Sequence, residues 1–137
     1  MTIRADLMNV VHQALYTQLD AALVEEIYDH VPASEPYPYV VIGDDEPGEE
    51  FEASGKILEQ VVTVDVYSDA EGQKEVKTIA GTIQNSLTGT ALNVAADNFN
   101  ALPMSHENTG FTIEPNSAMV RIHHATLSFR FLIQDIT

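Results

Sequence analysis

Residues 59–87 read EQVVTVDVYSDAEGQKEVKTIAGTIQNSL and change hydrophobic period once, which constrains the fold more than any other stretch. Val62, Val64 and Val66 alternate with Thr63, Asp65 and Tyr67, so residues 60–67 predict a strand with one face buried. The spacing then becomes helical. Val76, Ile79, Ala80, Ile83 and Leu87 form an apolar stripe with Lys74, Lys77, Gln84 and Asn85 opposite. Ser68 and Glu71 have capping-box spacing, with Gly72 pushing the helix start later. A strand that hands over directly to an amphipathic helix buries the helical stripe only by folding it back over further strands, so the remaining chain must supply them.

Residues 3–18 place Ile3, Leu7, Val10, Val11, Ala14 and Leu15 on one face, which predicts a first helix with Thr2 as its N-cap. Residues 19–31 predict either a short second turn of helix or an irregular crossing toward the sheet. Pro32, Pro36 and Pro38 exclude helix before the β-branched run Tyr39, Val40, Val41, Ile42, a first strand that Gly43 ends. The acidic segment GDDEPGEEFEASGK, residues 43–56, predicts a long loop between two strands. Beyond the second helix, Gly89 suits a left-handed cap position. Residues 99–106 predict a third strand that Pro103 demotes to an edge or a bulge. Residues 107–117 predict a long hairpin connection, with strand-like residues 111–113 inside it. Residues 119–134 predict the longest strand, in which the inward parity changes from Val120 and Ile122 to Ala125, Leu127, Phe129, Phe131 and Ile133. A β-bulge near His123 and His124 accounts for that change. The resulting order is helix, strand, strand, helix, strand, strand.

At 137 residues the chain has the size of one domain, 1–137, able to bury a core without staples. Its zero cysteines exclude disulfides and thiolate metal sites. Asp6, Asn9, His12 and Gln13 interrupt the first apolar run, so neither a signal peptide nor a membrane span is expected, and no membrane partner. With 21 acidic and 6 basic side chains the formal net charge is −15, and such a chain repels a phosphate backbone.

A search for chemistry begins with His12, His30, His106, His123 and His124. None has ligand spacing. His123 and His124 are adjacent in a strand and point to opposite faces in regular geometry. The carboxylates Asp44, Asp45, Glu46, Glu49, Glu50 and Glu52 suit calcium by type, yet lack the alternation and central glycine of a calcium loop. There is no cysteine nucleophile, no G-x-S-x-G elbow and no glycine-rich phosphate loop. Gly81, alone within the second helix, suggests close packing there. Composition and spacing therefore favour a binding or structural protein over an enzyme, with no cofactor.

The segment IYDHVPASEPYPYVVIGDDEP followed by VVTVDVYSDAEGQKEVKTIAGTIQNSL resembles the tail-completion, or tail-terminator, family of long-tailed phages and prophages. The resemblance rests on Tyr28, Asp29, His30, Val31 and Pro32 preceding the Pro38 to Val41 run, and on Asp65 to Tyr67 leading through Ser68 and Gly72 to a helix ending at Leu87. His123 and His124 depart from the basic or polar residues expected in the last strand, and residues 19–26 are short for the family. The resemblance implies an α+β domain: a mainly antiparallel four-stranded sheet with two helices packed on one face and long hairpin loops. It also implies a virion protein, made in the bacterial host cytoplasm, that caps the head-proximal end of a tail tube as a ring, typically a hexamer. Such a ring stops tube polymerisation and offers the head-tail joining surface. Its implied partners are further copies of itself, the tail tube protein and a head completion or connector protein. Gene transfer agents carry similar proteins.

DNA crossing such a ring must not bind it, and carboxylates repel phosphates over a Debye length of about 8 Å in physiological salt. Asp44, Asp45, Glu46, Glu49, Glu50, Phe51 and Glu52 are therefore the candidate lumen or inter-subunit residues, Phe51 anchoring on the next copy. The plainer alternative is a solvated loop. Two other functions compete: an acidic DNA-mimic inhibitor of a nucleic-acid-binding protein, and a metal-dependent hydrolase using His123, His124 and Asp65.

Overall fold

The computed structural model describes residues 7–29, 36–43, 46–51, 56–95, 99–115 and 120–136. Helix α1 spans Leu7–Ala22, and its buried stripe is Leu7, Val11, Leu15 and Leu19, four residues apart along one face. Leu19 belongs to this stripe, so the helix continues one turn past the boundary expected from sequence. Strand β1, Glu26–Tyr28, follows at once. Strand β2, Tyr39–Ile42, runs parallel to β1 and antiparallel to β4, Lys56–Ser68.

The expected loop 43–56 is not a loop throughout. Strand β3, Glu46–Phe51, pairs antiparallel with β4, with a register shift between Pro47 and Glu50. Thus β2 and β3 run in line along one edge of β4, Gly43 donating its amide to the Thr63 carbonyl at 2.7 Å between them. The other half repeats the plan. Helix α2, Lys74–Leu87, is followed by β5, Phe99–Ala101, and β6, Ser105–Pro115, both antiparallel to β7, Arg121–Asp135. The long hairpin expected over 107–117 is instead most of β6.

The long strands β4 and β7 pair from Lys56↔Asp135 to Ser68↔His123 without interruption. A bulge at His123 and His124 is therefore absent. Even residues 58–68 of β4 and odd residues 123–135 of β7 face the helices and are buried. Ile122 is buried as well but lies outside the main core, which explains why its parity misled. The register shift near this strand falls on β6, between His106 and Asn108. The seven-stranded sheet has the order β1-β2-β4-β7-β5, with β3 beside β4 and β6 beside β7. It is mixed, and larger than the four antiparallel strands expected, although the two helices and the two blocks of strands stand in the expected order.

Both helices contribute to one core with the inward residues of the sheet, including Val62, Val64, Leu127 and Phe129, all fully buried. Burial at about 25 cal/mol per Å² of apolar surface is the main term holding helices to sheet. Ser68 does not cap α2 through Glu71. Its hydroxyl donates to Glu75 Oε1 at 2.6 Å and accepts from the Ala70 amide at 3.2 Å, tying the end of β4 to the first turn of α2. A carboxylate there also suits the positive end of the helix dipole. At the other end Gly89 has φ 75° and donates to the Met104 carbonyl, stitching α2 to the β5-β6 connection. Gly81 does not mark close packing, since an added Cβ would meet nothing within 4 Å. No helix among the described residues is long and apolar enough to cross a membrane.

Candidate functional site

Among the described residues, the helix-free face of the sheet carries a connected set of polar side chains. Asp65 and Glu59 occupy outward positions of β4, and His124 and Arg130 outward positions of β7. His124 Nε2 lies 2.8 Å from Asp65 Oδ1, and its Nδ1 lies 3.1 Å from Glu114 Oε1 on β6. Arg130 repeats the pattern: Nη1 is 3.5 Å from Glu59 Oε2 and Nε is 2.6 Å from Glu107 Oε1. Each of these two β7 bases thus bridges one acid of β4 and one of β6. Partly exposed ion pairs contribute only about 0.2–1 kcal/mol each. Their main effect is to hold β6 in register on the body.

An aromatic run crosses the same face. Tyr67 stacks on His124 at 4.3 Å, Tyr39 lies 5.3 Å from Tyr67, and Tyr37 stacks on Tyr39 at 5.1 Å. Tyr28 of β1 meets Tyr39 edge-on at 6.1 Å. Burial pushes the Tyr67 phenol above its ordinary value of 10.0, and the charges of Asp65 and Glu114, with Tyr37, add to it. Such a face suits contact with another protein, since tyrosines bring rigid area and a polar tip.

The Thr126 hydroxyl donates to the same Asp65 oxygen that His124 meets, and the other imidazole nitrogen is taken by Glu114. The Thr126 hydroxyl also lies 3.2 Å from His124 Nε2, so hydroxyl, imidazole and carboxylate form one closed cluster. His123 is buried on the opposite face, lining a cavity with Val76 and Ile113, so the trio His123, His124 and Asp65 is not brought together. His106 meets Thr109 at 2.6 Å, and His30 lies outside the described residues. Among the described residues no three histidine or acidic side chains are grouped to hold a metal ion.

Of the acidic segment, Glu46, Glu49, Glu50 and Phe51 fall within β3, while Asp44, Asp45 and Glu52 lie outside the described residues. The outward network leaves little trace in the sequence. Its signal was the placing of Glu59, Asp65, His124 and Arg130 at outward strand positions, where single polar residues usually mean only solvent.

The architecture is thus a mixed seven-stranded sheet with two helices on one face and a polar and aromatic network on the other. The family model for tail completion protein gp17 matches residues 9–134, and the chain belongs to that family, which places it among tail structural proteins. A solved chain described as "Virion of native gene transfer agent (GTA) particle" shares the fold, with a TM-score of 0.75 at 18% identity over 95% of this chain and 98% of that one. No curated protein matches the chain.

Proposed function

We propose that the protein caps the head-proximal end of a phage-type tail tube as a ring, stops tube polymerisation there and offers the surface on which the head joins. The family match across residues 9–134 is the observation that carries this reading. The shared fold with a chain of a gene transfer agent virion supports it. The protein then acts as a virion component without catalysis, its 137 residues working as one unit among copies of itself, with hexamer symmetry set by the tube it caps.

The acidic residues Asp44, Asp45, Glu46, Glu49, Glu50 and Glu52 face the lumen or the next copy in this proposal, with Phe51 as anchor. DNA then passes without adhering, because a formal charge of −15 per copy repels phosphate. A DNA mimic needs acids spaced along its surface like phosphates, whereas α1 and α2 carry one acid each, Asp20 and Glu75. The test is negative-stain imaging of purified tail tubes with added protein. Protein at one end of each tube and halted elongation are expected. Tubes that elongate unhindered and carry no terminal density overturn the proposal.

A further inference from the structure

Strand β6 is long, and among the described residues it pairs with β7 alone, so its far edge has no strand beside it. Every residue of β6 except His106 and Thr109 is exposed. The two apolar side chains Phe111 and Ile113 are 45% and 48% exposed, although they sit on the helix side of the sheet opposite Ala125 and His123. The first turns of α2 do not cover them. Lys77 Nζ stands 5.6 Å above the Phe111 ring, and a cavity of about 280 Å³ opens between the two elements, lined by Gln73, Val76, Thr112 and His123 besides that pair.

Soluble proteins usually guard an edge strand with lysine, proline or inward charge. Here the register shift protects only the start and Pro115 only the end. Residues 108–113, NTGFTI, carry no charge and no proline. The acids flanking them are turned toward bases of β7, Glu107 to Arg130 and Glu114 to His124, each base being shared with an acid of β4. The absence of acids from this segment, with Lys77 beside it, selects the occupant. A basic partner would gain nothing from an uncharged strand when acids outnumber bases 21 to 6 over the whole chain. A second copy, carrying the same charge of −15, approaches most closely where acids are absent and a cation stands beside the strand.

We propose that the open edge of β6 at residues 108–113, with Phe111 and Ile113 as its apolar anchors, is the surface on which the next copy of this chain docks. Backbone pairing supplies the adhesion and the two side chains supply the burial. The contact is heterologous, as rotational closure requires. It rests on the ring reading above, and it adds where one copy grips another.

The experiment compares the full chain with the double variant Phe111→Lys, Ile113→Lys on purified tail tubes, by negative stain and by light scattering. Both side chains are half exposed, so the variant is expected to keep the wild-type melting temperature and circular dichroism while losing end caps and multimers. A folded variant that assembles as the wild type does overturns the proposal and leaves the ring reading standing. Hydrogen exchange on the unmodified protein provides the check that no variant folding can confuse. Assembly should slow exchange of the 108–113 amides at least tenfold, and unchanged exchange in the assembled ring overturns the assignment. If the wild type forms no ring on tubes, both readings fall together.

Discussion

Tyr67 lies flat on His124, their ring centroids 4.3 Å apart and their planes 15° from parallel. The imidazole beneath the phenol is itself held between Asp65 and Glu114, so the stack joins β4, β7 and β6 on the helix-free face. Aromatic pairs of this kind contribute roughly 0.5–1.5 kcal/mol beyond their buried area.

This stack sets a pH dependence at the alkaline end. The Tyr67 phenol is raised above 10.0 by burial first and then by the neighbouring carboxylates. The folded chain therefore keeps a proton that the unfolded chain has lost, and unfolding binds fewer protons in that window. The stability due to Tyr67 is complete below pH 10.0 and is lost as pH rises through the folded value. Phenolate absorbance should show Tyr67 ionising above pH 10.0, and Tyr67→Phe should remove that contribution and lessen the alkaline fall in melting temperature. A titration unaltered by the substitution contradicts this.

Gly43 is required by the same network from the other side. An alanine Cβ there would stand 2.9 Å from Asp65 Oδ2 and 3.2 Å from the Thr63 carbonyl. The carboxylate cannot swing away freely, because its Oδ1 meets both Thr126 and His124. Gly43→Ala is expected to cost about 1–3 kcal/mol in urea denaturation. In an Asp65→Ala background the added cost should shrink by more than about 0.5 kcal/mol, the coupling expected of residues in contact. Simple additivity would show that the clash is relieved elsewhere.

Gln60 is fully buried among the inward residues of β4. Its amide nitrogen reaches only the Met8 sulfur at 3.7 Å, and its Oε1 has no partner among the described residues. A buried unsatisfied carbonyl costs about 1–3 kcal/mol, so Gln60→Leu should raise stability by roughly 1 kcal/mol. A loss of that size by calorimetry would mean that the amide is satisfied in the folded chain.

The proposed lumen role predicts a functional effect without a folding one. Changing Asp44, Asp45, Glu49 and Glu50 to their amides should slow DNA ejection or impair particle assembly. Particles of normal titre and ejection rate would remove the acidic segment from the proposal.

Much of the central unit was legible because its side chains repeat with its backbone. Val62, Val64 and Val66 are fully buried, as their alternation requires, and the α2 stripe from Val76 to Leu87 is buried to the last residue. Gly89 takes the left-handed cap with φ 75°. His123 and His124 do face opposite sides of the sheet. Ser68 was expected to cap the second helix with Glu71, but Gln73 holds the N-cap position and the Ser68 hydroxyl donates to Glu75. Spacing marks where a hydroxyl can reach, while the fold decides which carboxylate arrives.

The amino-acid order alone determined the strand-to-helix handover at residues 59–87 and the family pattern around it, because burial of one face imposes a periodicity that side chains display directly. Only the tertiary structure decided that Glu46–Phe51 and Ser105–Pro115 are strands, that β1 joins in parallel, and that β7 runs straight past His123. Edge strands are held by backbone hydrogen bonds, which every residue but proline can make, so acidic or exposed sequences enter a sheet without leaving a hydrophobic period to announce it.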